Sequence, residues 1–364
     1  MTRPSDALPA GAPADDAAMR SGSDPAATVA GAGATVASAG SGTAGRACHG
    51  TSAITAADLL ARARPRIGAR EAALLLAEVL GWRRTELLTR DHEVLPPASV
   101  AEFDAWVARR AAGEPIAHLL GHREFFGLRL RVNAHVLIPR PETELLVEAA
   151  LAWLAEPQQS ARPEAPAVLD LGTGSGAIAI AIAAQAPTVR VVATDHSAEA
   201  LAVARDNAQT HLPARPGGPI EFRQGDWYAA LTREPSATVA GGAPTPQRFD
   251  MIVSNPPYIA DGDPHLEQGD LRYEPQGALT DGADGLRALA AIIAGASDWL
   301  RDGGVLWLEH GYDQAAAVRA LLDAQGFQAV ASHRDLAGIE RISGGRWHRA
   351  AASSSTSGAP PVTR

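Results

Sequence analysis

The most informative segment of this chain is Phe249-Asp250-Met251-Ile252-Val253-Ser254-Asn255-Pro256-Pro257-Tyr258. Its first six residues are mostly apolar and predict a buried strand, and the prolines that follow predict a rigid loop at the end of that strand. In α/β proteins, the loops after the strands carry binding and catalytic groups. We therefore expect an α/β sheet with a functional loop at residues 255–258.

This loop carries a polar amide, two prolines and an aromatic ring, at Asn255, Pro256, Pro257 and Tyr258. Consecutive prolines fix the backbone and remove two N–H donors, which leaves carbonyl oxygens free to accept hydrogen bonds. We expect the Asn255 side-chain oxygen and the Pro256 carbonyl to accept the two hydrogens of a planar NH2 group, while Tyr258 packs against its plane. Such a grip would aim the nitrogen lone pair and stabilise developing positive charge. All four residues are the predicted substrate-binding site, and Asn255, Pro256 and Tyr258 are the predicted catalytic residues.

Strands and helices alternate on both sides of this segment. Apolar runs predict further strands at residues 168–171, 189–194, 220–222 and 305–308, with helical patterns between them. Two β-like segments, 327–331 and 339–348, end the series. This alternation predicts a doubly wound, mostly parallel sheet with helices on both faces.

A glycine-rich loop follows the first of these strands and reads Asp170-Leu171-Gly172-Thr173-Gly174-Ser175-Gly176. Glycines let a backbone approach a ligand closely, and the start of the next helix favours negative charge. Gly172, Gly174 and Ala177 satisfy the dinucleotide pattern, so a nicotinamide cofactor has to be weighed. Asp195 ends the second strand and suits either a nicotinamide cofactor or S-adenosylmethionine, because a carboxylate can accept both ribose hydroxyls.

Three features favour S-adenosylmethionine over a nicotinamide cofactor. Glycines stand at every second position of the loop, with an acidic residue two positions before the first of them. Asp226 and Trp227 follow the third strand and supply a carboxylate and a ring for an adenine. Finally, a nicotinamide enzyme, which transfers a hydride, would leave the tetrapeptide at 255–258 without an explanation. From the residues alone, the expected cofactor site comprises the loop Gly172-Thr173-Gly174-Ser175-Gly176 together with Asp195, Asp226 and Trp227.

A helical region precedes the sheet at residues 51–114, where leucines recur at three-to-four spacing. Thr55 and Thr85 are predicted helix caps, and Pro97 is placed to open another helix. The region holds nine arginines and nine acidic residues but no catalytic constellation, so we interpret it as a packing or substrate-docking domain. Residues 115–142 predict a β-hairpin linker, in which a strand at 125–132 pairs with residues 136–138. The domain that carries the sheet would then span residues 143–349.

Composition excludes several classes of protein. The 364 residues carry a net charge of −9 and no lysine, which rules out a phosphate-loop lysine, a Schiff-base lysine and the lysine of a protein kinase. The single cysteine, Cys48, allows neither an internal disulfide nor a cysteine-rich metal site, and it fits a reducing, cytoplasmic setting.

The absence of an apolar run of about 18 residues argues against a membrane span. Residues 1–50 and 350–364 predict disordered tails, and residues 231–247 predict a loop insertion.

Taken together, these blocks resemble the class I, Rossmann-like methyltransferases, and more narrowly the HemK/PrmC family of N5-glutamine methyltransferases of peptide chain release factors. The resemblance covers about residues 55–349. It includes Leu120-Gly121-His122-Arg123-Glu124-Phe125-Phe126, Leu137-Ile138-Pro139-Arg140-Pro141-Glu142-Thr143-Glu144, the loops at 170–176 and 252–259, Asp263-Pro264-His265-Leu266, Gly269-Asp270-Leu271-Arg272-Tyr273-Glu274-Pro275 and Leu308-Glu309-His310-Gly311. Ser175 stands where many members carry threonine, which is a mild departure.

The resemblance implies a seven-stranded sheet, a small N-terminal helical domain and a hairpin linker. It implies S-adenosylmethionine as the cofactor, no metal, and the glutamine of the Gly-Gly-Gln motif in class I release factors as the substrate. It places the cofactor on residues 172–176, Asp195, Trp227 and Asn255, and the substrate glutamine on residues 255–258. No membrane association and no direct contact with nucleic acid are expected.

Other functions remain open at this point. A DNA adenine-N6 methyltransferase uses the same tetrapeptide on another planar NH2 group, but it needs a base-flipping surface and usually a target-recognition domain. A ribosomal-protein glutamine methyltransferase would share the chemistry and differ in its protein substrate. A nicotinamide oxidoreductase, or an adaptor that binds a cofactor without catalysis, explains the glycine loop alone.

Other charged residues receive structural interpretations. His265 and His310 are expected to make structural hydrogen bonds, because the proposed chemistry needs no general base. Glu142 and Glu144 favour the start of a helix. Arg140 could contact the carboxylate of the cofactor or brace the linker.

Overall fold

The computed structural model describes residues 53–156, 164–214, 220–231 and 247–349. The predicted tails at 1–50 and 350–364, and all but the edges of the predicted insertion at 231–247, lie outside these residues. Within the described part of the chain, no helix is long and apolar enough to cross a membrane.

The N-terminal region is helical, as the leucine spacing predicts. It contains α1 (Ala56–Ile67), α2 (Ala69–Leu80), α3 (Glu86–Thr89), α4 (Pro97–Ala111) and α5 (Ile116–Leu120). The helices bury their own apolar cluster, which includes Leu59, Leu75, Leu76 and Phe103. The region therefore has a hydrophobic core separate from that of the sheet.

The two predicted helix caps behave differently. The Thr55 hydroxyl accepts a hydrogen bond from the Asp58 amide, and the Asp58 carboxylate accepts one from the Thr55 amide at 2.9 Å, so the pair forms a capping box. Thr85 directly precedes α3, at the predicted cap position, but its side chain makes no capping hydrogen bond. Thr85 has helical dihedral angles (φ −68°, ψ −30°), whereas a capping residue needs an extended backbone.

The linker forms a hairpin, but not between the predicted partners. β1 (His122–Phe125) pairs antiparallel with β2 (Leu128–Arg131), and residues 136–138 form no strand. The turn between them is Phe126-Gly127, where both residues have positive φ (50° and 75°), as a two-residue hairpin turn requires. Phe126 hid this break in the sequence, because an apolar side chain at a turn position continues the alternation of a strand.

The remainder of the chain is built on a seven-stranded sheet. Its strands are β3 (Ala167–Leu171), β4 (Arg190–Asp195), β5 (Ile220–Gln224), β6 (Phe249–Ser254), β7 (Leu300–Glu309), β8 (Gln328–Arg334) and β9 (Glu340–Arg346). They lie in the order β5-β4-β3-β6-β7-β9-β8, and of these seven only β9 runs against the others. The doubly wound, mostly parallel sheet is therefore confirmed.

Helices cover both faces of the sheet. They are α6 (Glu144–Leu154), α7 (Ala177–Gln185), α8 (Ala198–His211), α9 (Arg287–Trp299) and α10 (Ala315–Gln325). Val168 of β3 packs in the cluster that contains α6 and α7, and the next residue, Leu169, packs in the cluster that contains α9 and α10. Successive side chains of a strand point to opposite faces, so both faces of β3 are buried. This is why β3 and β6 lack the polar alternation of a half-exposed strand.

The order of the strands reverses between β3 and β6. From β3 the chain proceeds outward through β4 and β5, and from β6 it proceeds through β7 toward the opposite edge. β3 and β6 are parallel neighbours, with Leu171 opposite Ser254. The loops that follow them, at 172–176 and 255–258, therefore emerge side by side. A crevice at such a switch point is where open α/β sheets bind ligands.

Candidate active site

A cavity of about 280 Å³ opens at this switch point. The residues singled out from the sequence that line it are Gly172, Thr173, Gly174, Ser175, Asp195, Asp226, Trp227, Asn255 and Pro257. Gly176, Pro256 and Tyr258 do not line it. The structure thus brings most of the predicted cofactor residues and Asn255 to one cavity, although they lie far apart in the sequence.

Asp195 holds the glycine loop in place. Its Oδ2 accepts a hydrogen bond from the Gly174 amide, and its Oδ1 accepts one from the Ser197 amide, both at 2.9 Å. The residue is 8% exposed and lines the cavity. Each carboxylate oxygen has further lone pairs, so Asp195 can still accept hydrogen bonds from the hydroxyls of a ligand.

Trp227 lies against the glycine loop. A Cβ built on Gly172 would lie 3.3 Å from the Trp227 ring, so the close approach depends on the missing side chain at position 172. Trp227 itself has a φ of 43°, which is uncommon for a bulky residue and is a feature of functionally constrained positions. The ring forms a wall of the cavity against which a flat group could stack.

Asp170 lies beneath the glycine loop and is fully buried. Its Oδ2 accepts a 2.6 Å hydrogen bond from the Thr173 hydroxyl. Burial raises the pKa of the Asp170 carboxyl to about 7, although the Thr173 hydroxyl favours the ionised form. Asp170 therefore holds Thr173 in the loop from below and does not line the cavity.

The Asn255 side chain has a partner that the sequence did not reveal. Its Nδ2 donates to the Thr143 hydroxyl oxygen at 3.2 Å, and Thr143 is buried in the turn that precedes α6. Within the described residues, the Oδ1 of Asn255 accepts no hydrogen bond. Both residues line the cavity, so Asn255 has a free acceptor at this point.

Tyr258 does not reach the cavity. Its hydroxyl donates to Glu309 Oε1 at 3.3 Å, and its backbone carbonyl accepts from Gln314 Nε2 at 3.0 Å. Burial raises the pKa of the phenol, so the hydroxyl stays protonated and can donate. A Cβ on Gly285 would overlap the Tyr258 carbonyl oxygen, so a glycine at 285 lets the chain pass behind the loop. Tyr258 thus anchors the loop from behind, which differs from the predicted packing of its ring on a substrate.

Glu309 is the last residue of β7, the neighbour of β6, and it is 2% exposed. Burial raises the pKa of its carboxyl to about 7, and the Glu142 carboxyl acts in the same direction. The hydroxyls of Thr143 and Tyr258 favour the ionised form, as does the Arg341 guanidinium. Among the described residues, Glu309 Oε2 has no hydrogen-bond partner. Perturbed carboxyls beside a cavity are candidates for a functional role.

One wall of the cavity comes from the segment after the tetrapeptide, through Pro275, Gly277 and Ala278. Glu274 of this segment is buried and accepts hydrogen bonds from the Ile138 amide at 2.9 Å and from Arg140 Nη2 at 2.5 Å. Arg140, which also lines the cavity, therefore braces the linker against this wall.

The same segment contacts the helical region. Asp270 accepts a hydrogen bond from Arg110 at 2.8 Å. Arg272 and Tyr273 both donate to the Ala112 carbonyl, at 2.6 and 3.0 Å. The wall of the cavity is thus tied to the end of α4.

The two histidines make local hydrogen bonds, as expected. His310 is fully buried and pairs with the Gly311 carbonyl and the Ser343 hydroxyl, both at 2.8 Å. Burial lowers the pKa of the His310 imidazole, which favours its neutral form. His265 is exposed and contacts Asp263 at 2.7 Å. Neither histidine lines the cavity.

Two polar residues of the site, Thr143 and Glu309, were missed by the reasoning from sequence. A signal existed for Glu309, because the carboxyl ends of neighbouring parallel strands meet at one edge of a sheet. Thr143 had no such signal, since a threonine at the start of a helix is ordinary. Among the described residues, no group of three or more histidines, cysteines or acidic residues could hold a metal ion.

The family models and the curated relatives that match this chain agree with one another. The family model for the PrmC N-terminal domain matches residues 54–121, and the model for the methyltransferase small domain matches residues 154–269. The release factor glutamine methyltransferase of Burkholderia pseudomallei is 57% identical over 296 residues, which cover 81% of this chain and 97% of that protein. The release factor glutamine methyltransferase of Bordetella pertussis is 54% identical over 288 residues, which cover 79% and 97%. A solved structure of a protein-(glutamine-N5) methyltransferase from Alicyclobacillus acidocaldarius is 28% identical, with a TM-score of 0.34 over 60% of this chain and 100% of that chain.

Proposed function

The chain belongs to the release factor glutamine methyltransferases, and we propose that it transfers the methyl group of S-adenosylmethionine to the glutamine side-chain nitrogen in the Gly-Gly-Gln motif of class I release factors. This modification would support translation termination. The observation that carries the proposal is the contact between Asn255 and Thr143. It leaves Asn255 Oδ1 as a free acceptor in the cavity of the glycine loop.

The cavity suits S-adenosylmethionine in the chemistry of its donors and acceptors. Asp195 has lone pairs for ribose hydroxyls, and Trp227 presents a ring to an adenine. The backbone at residues 172–176 can approach a ligand closely because three of its residues have no side chain. When bound, the cofactor would supply an electrophilic methyl group on a sulfonium, with a neutral leaving group.

A glutamine amide is a poor nucleophile because its nitrogen shares a lone pair with the carbonyl. We infer that Asn255 Oδ1 accepts one amide hydrogen and that the Pro256 carbonyl accepts the other. That carbonyl belongs to the peptide that joins Pro256 to Pro257, a residue of the cavity wall. Two fixed acceptors would aim the nitrogen lone pair and stabilise its developing charge, so positioning and electrostatics supply the catalysis. The nitrogen would gain the methyl group and give up one of its two hydrogens as a proton to solvent.

The helical region at residues 51–114 is the proposed docking module for the protein substrate. The end of α4 is tied to the cavity wall through Asp270, Arg272 and Tyr273. A release factor that contacts this region would lie close to the cavity. Recognition by protein contacts needs no nucleic acid.

Labelled S-adenosylmethionine tests the substrate. The enzyme is incubated separately with a release factor, a ribosomal-protein mixture and unmethylated DNA, and we expect label in the release factor alone. A release factor whose motif glutamine is replaced by alanine is the matched control and should stay unlabelled. Label in ribosomal protein or DNA, with none in the release factor, would refute the proposed substrate.

A further inference from the structure

We propose that Thr143 and Glu309 are positioning residues that hold the tetrapeptide at 255–258 by both of its ends, a role that rests on the function proposed above. Asn255 and Tyr258 are the first and last residues of this loop. Asn255 hydrogen-bonds Thr143 and Tyr258 hydrogen-bonds Glu309, and the Thr143 hydroxyl is close enough to the Glu309 carboxyl to favour its ionised form.

Two hydrogen-bonded pairs meet at Glu309. Asn255 Nδ2 donates to Thr143 Oγ1 at 3.2 Å, and the Thr143 hydroxyl faces the Glu309 carboxyl. The Tyr258 hydroxyl donates to Glu309 Oε1 at 3.3 Å from the other side. Thr143 and Glu309 are 4% and 2% exposed, so water does not compete freely for these groups.

The carboxyl group sets the direction of each hydrogen bond. An ionised carboxylate only accepts, so a Thr143 hydroxyl that interacts with Glu309 does so as the donor, and it offers its lone pair to Asn255. Asn255 must then turn its NH2 group to Thr143 and its oxygen to the cavity. Without the carboxylate, the Thr143 hydroxyl could donate to the Asn255 oxygen, and the rotated amide would present a donor to the cavity. A donor there would oppose the NH2 group of a substrate glutamine.

Among the residues that the structure describes, few charged groups act on the Glu309 carboxyl. The groups that face it are the hydroxyls of Thr143 and Tyr258, the Glu142 carboxyl from the turn before α6, and the Arg341 guanidinium from β9. Burial outweighs the rest and raises the pKa of the Glu309 carboxyl to about 7. Protonation near neutral pH would therefore weaken the direction that the carboxylate imposes on the loop.

Thr143→Val removes the hydroxyl and keeps the shape of the side chain. We expect kcat on the release factor to fall by at least about tenfold, because the acceptor in the cavity is no longer oriented. The Kd for S-adenosylmethionine should stay within about twofold of wild type, and Thr143→Ser should restore most of kcat. Thr194→Val is a matched control, since Thr194 is fully buried and its hydroxyl has no partner among the described residues.

A double variant tests whether Thr143 acts through Asn255. If it does, Asn255→Ala with Thr143→Val should be no slower than Asn255→Ala alone, because the oriented group is already gone. If the falls in kcat of the two single variants multiply in the double variant, Thr143 acts independently of Asn255, and the inference is wrong.

Glu309→Gln tests the role of the Glu309 carboxylate. It also provides an independent test of the inference if Thr143→Val does not fold. Wild-type kcat should rise with pH through about 7, while the glutamine variant should be slow and lack this limb. If kcat of the variant still rises with pH through about 7, the proposed role of Glu309 is wrong.

The failure of this inference can be distinguished from the failure of the proposed function. A wild-type enzyme that leaves the release factor unlabelled refutes the proposed function. Unchanged kcat in Thr143→Val, with Asn255→Ala impaired, refutes the positioning role alone.

Discussion

The unfolding free energy of Glu309→Gln relative to that of wild type should increase as the pH rises. The wild-type carboxyl is 2% exposed, and burial raises its pKa to about 7. In the unfolded chain, the same carboxyl has its ordinary pKa of 4.5. Glutamine has a similar shape and does not titrate, so the variant removes the pH-dependent part of the effect of this side chain.

The sign follows from where the proton is bound. Below pH 4.5 the Glu309 carboxyl is protonated in both the folded and the unfolded chain, so it makes no difference to stability. Between pH 4.5 and about 7 the unfolded chain ionises first, so wild type loses stability as the pH rises. One pKa unit corresponds to about 1.4 kcal/mol, which makes the loss about 3 kcal/mol above pH 7. Asp170 has a pKa raised in the same direction, but it is present in both proteins and cancels.

Urea unfolding near pH 4.5 and near pH 8 measures the effect. The unfolding free energy of Glu309→Gln minus that of wild type should grow by about 3 kcal/mol between these conditions. Glu148→Gln is a control for the loss of one acidic group, because Glu148 is exposed on α6. A difference that stays constant with pH would refute the buried, raised-pKa carboxyl. A variant that is more stable and yet slower would mark Glu309 as retained for function.

Four further outcomes are expected. Asn255→Ala should lower turnover about 100-fold or more, with cofactor affinity weakened less; unchanged turnover would refute its grip on the substrate. Asp195→Ala should weaken S-adenosylmethionine binding in a calorimetric titration, and unaltered affinity would contradict the ribose assignment. Gly172→Ala should weaken cofactor binding too, because residue 172 has a φ of +72° and its new Cβ would lie 3.3 Å from the Trp227 ring. Thr55→Ala should destabilise the protein by about 1 kcal/mol in urea unfolding, through loss of the capping box.

The class of sheet could be predicted because it depends on local patterns. Segments such as 249–254 are mostly apolar, which is typical of strands buried on both faces, and the structure shows β6 fully buried. The glycine loop and the tetrapeptide were likewise visible as short runs of unusual composition. Their meeting at one cavity followed from a general rule about the carboxyl ends of parallel strands.

The hairpin shows where local patterns mislead. Phe126 continues an apolar alternation, yet the backbone there has a φ of 50° and turns the chain. Burial of the aromatic side chain against the main core favours this uncommon conformation. Nothing within the segment could reveal that, because the packing partners come from elsewhere in the chain.

Reasoning from the residues alone thus identified the alternating architecture, the glycine loop and the tetrapeptide at 255–258, because each depends on neighbouring residues in the sequence. The tertiary structure alone determines which of these side chains contact residues that lie far away in the sequence. Asn255 meets Thr143 across 112 residues, and Tyr258 meets Glu309 across 51. These contacts form because β6 lies between β3 and β7, and because α6 packs on the same sheet. In the arrangement proposed above, the orientation of the Asn255 amide depends on a buried carboxyl and hydroxyl that other elements of the fold supply.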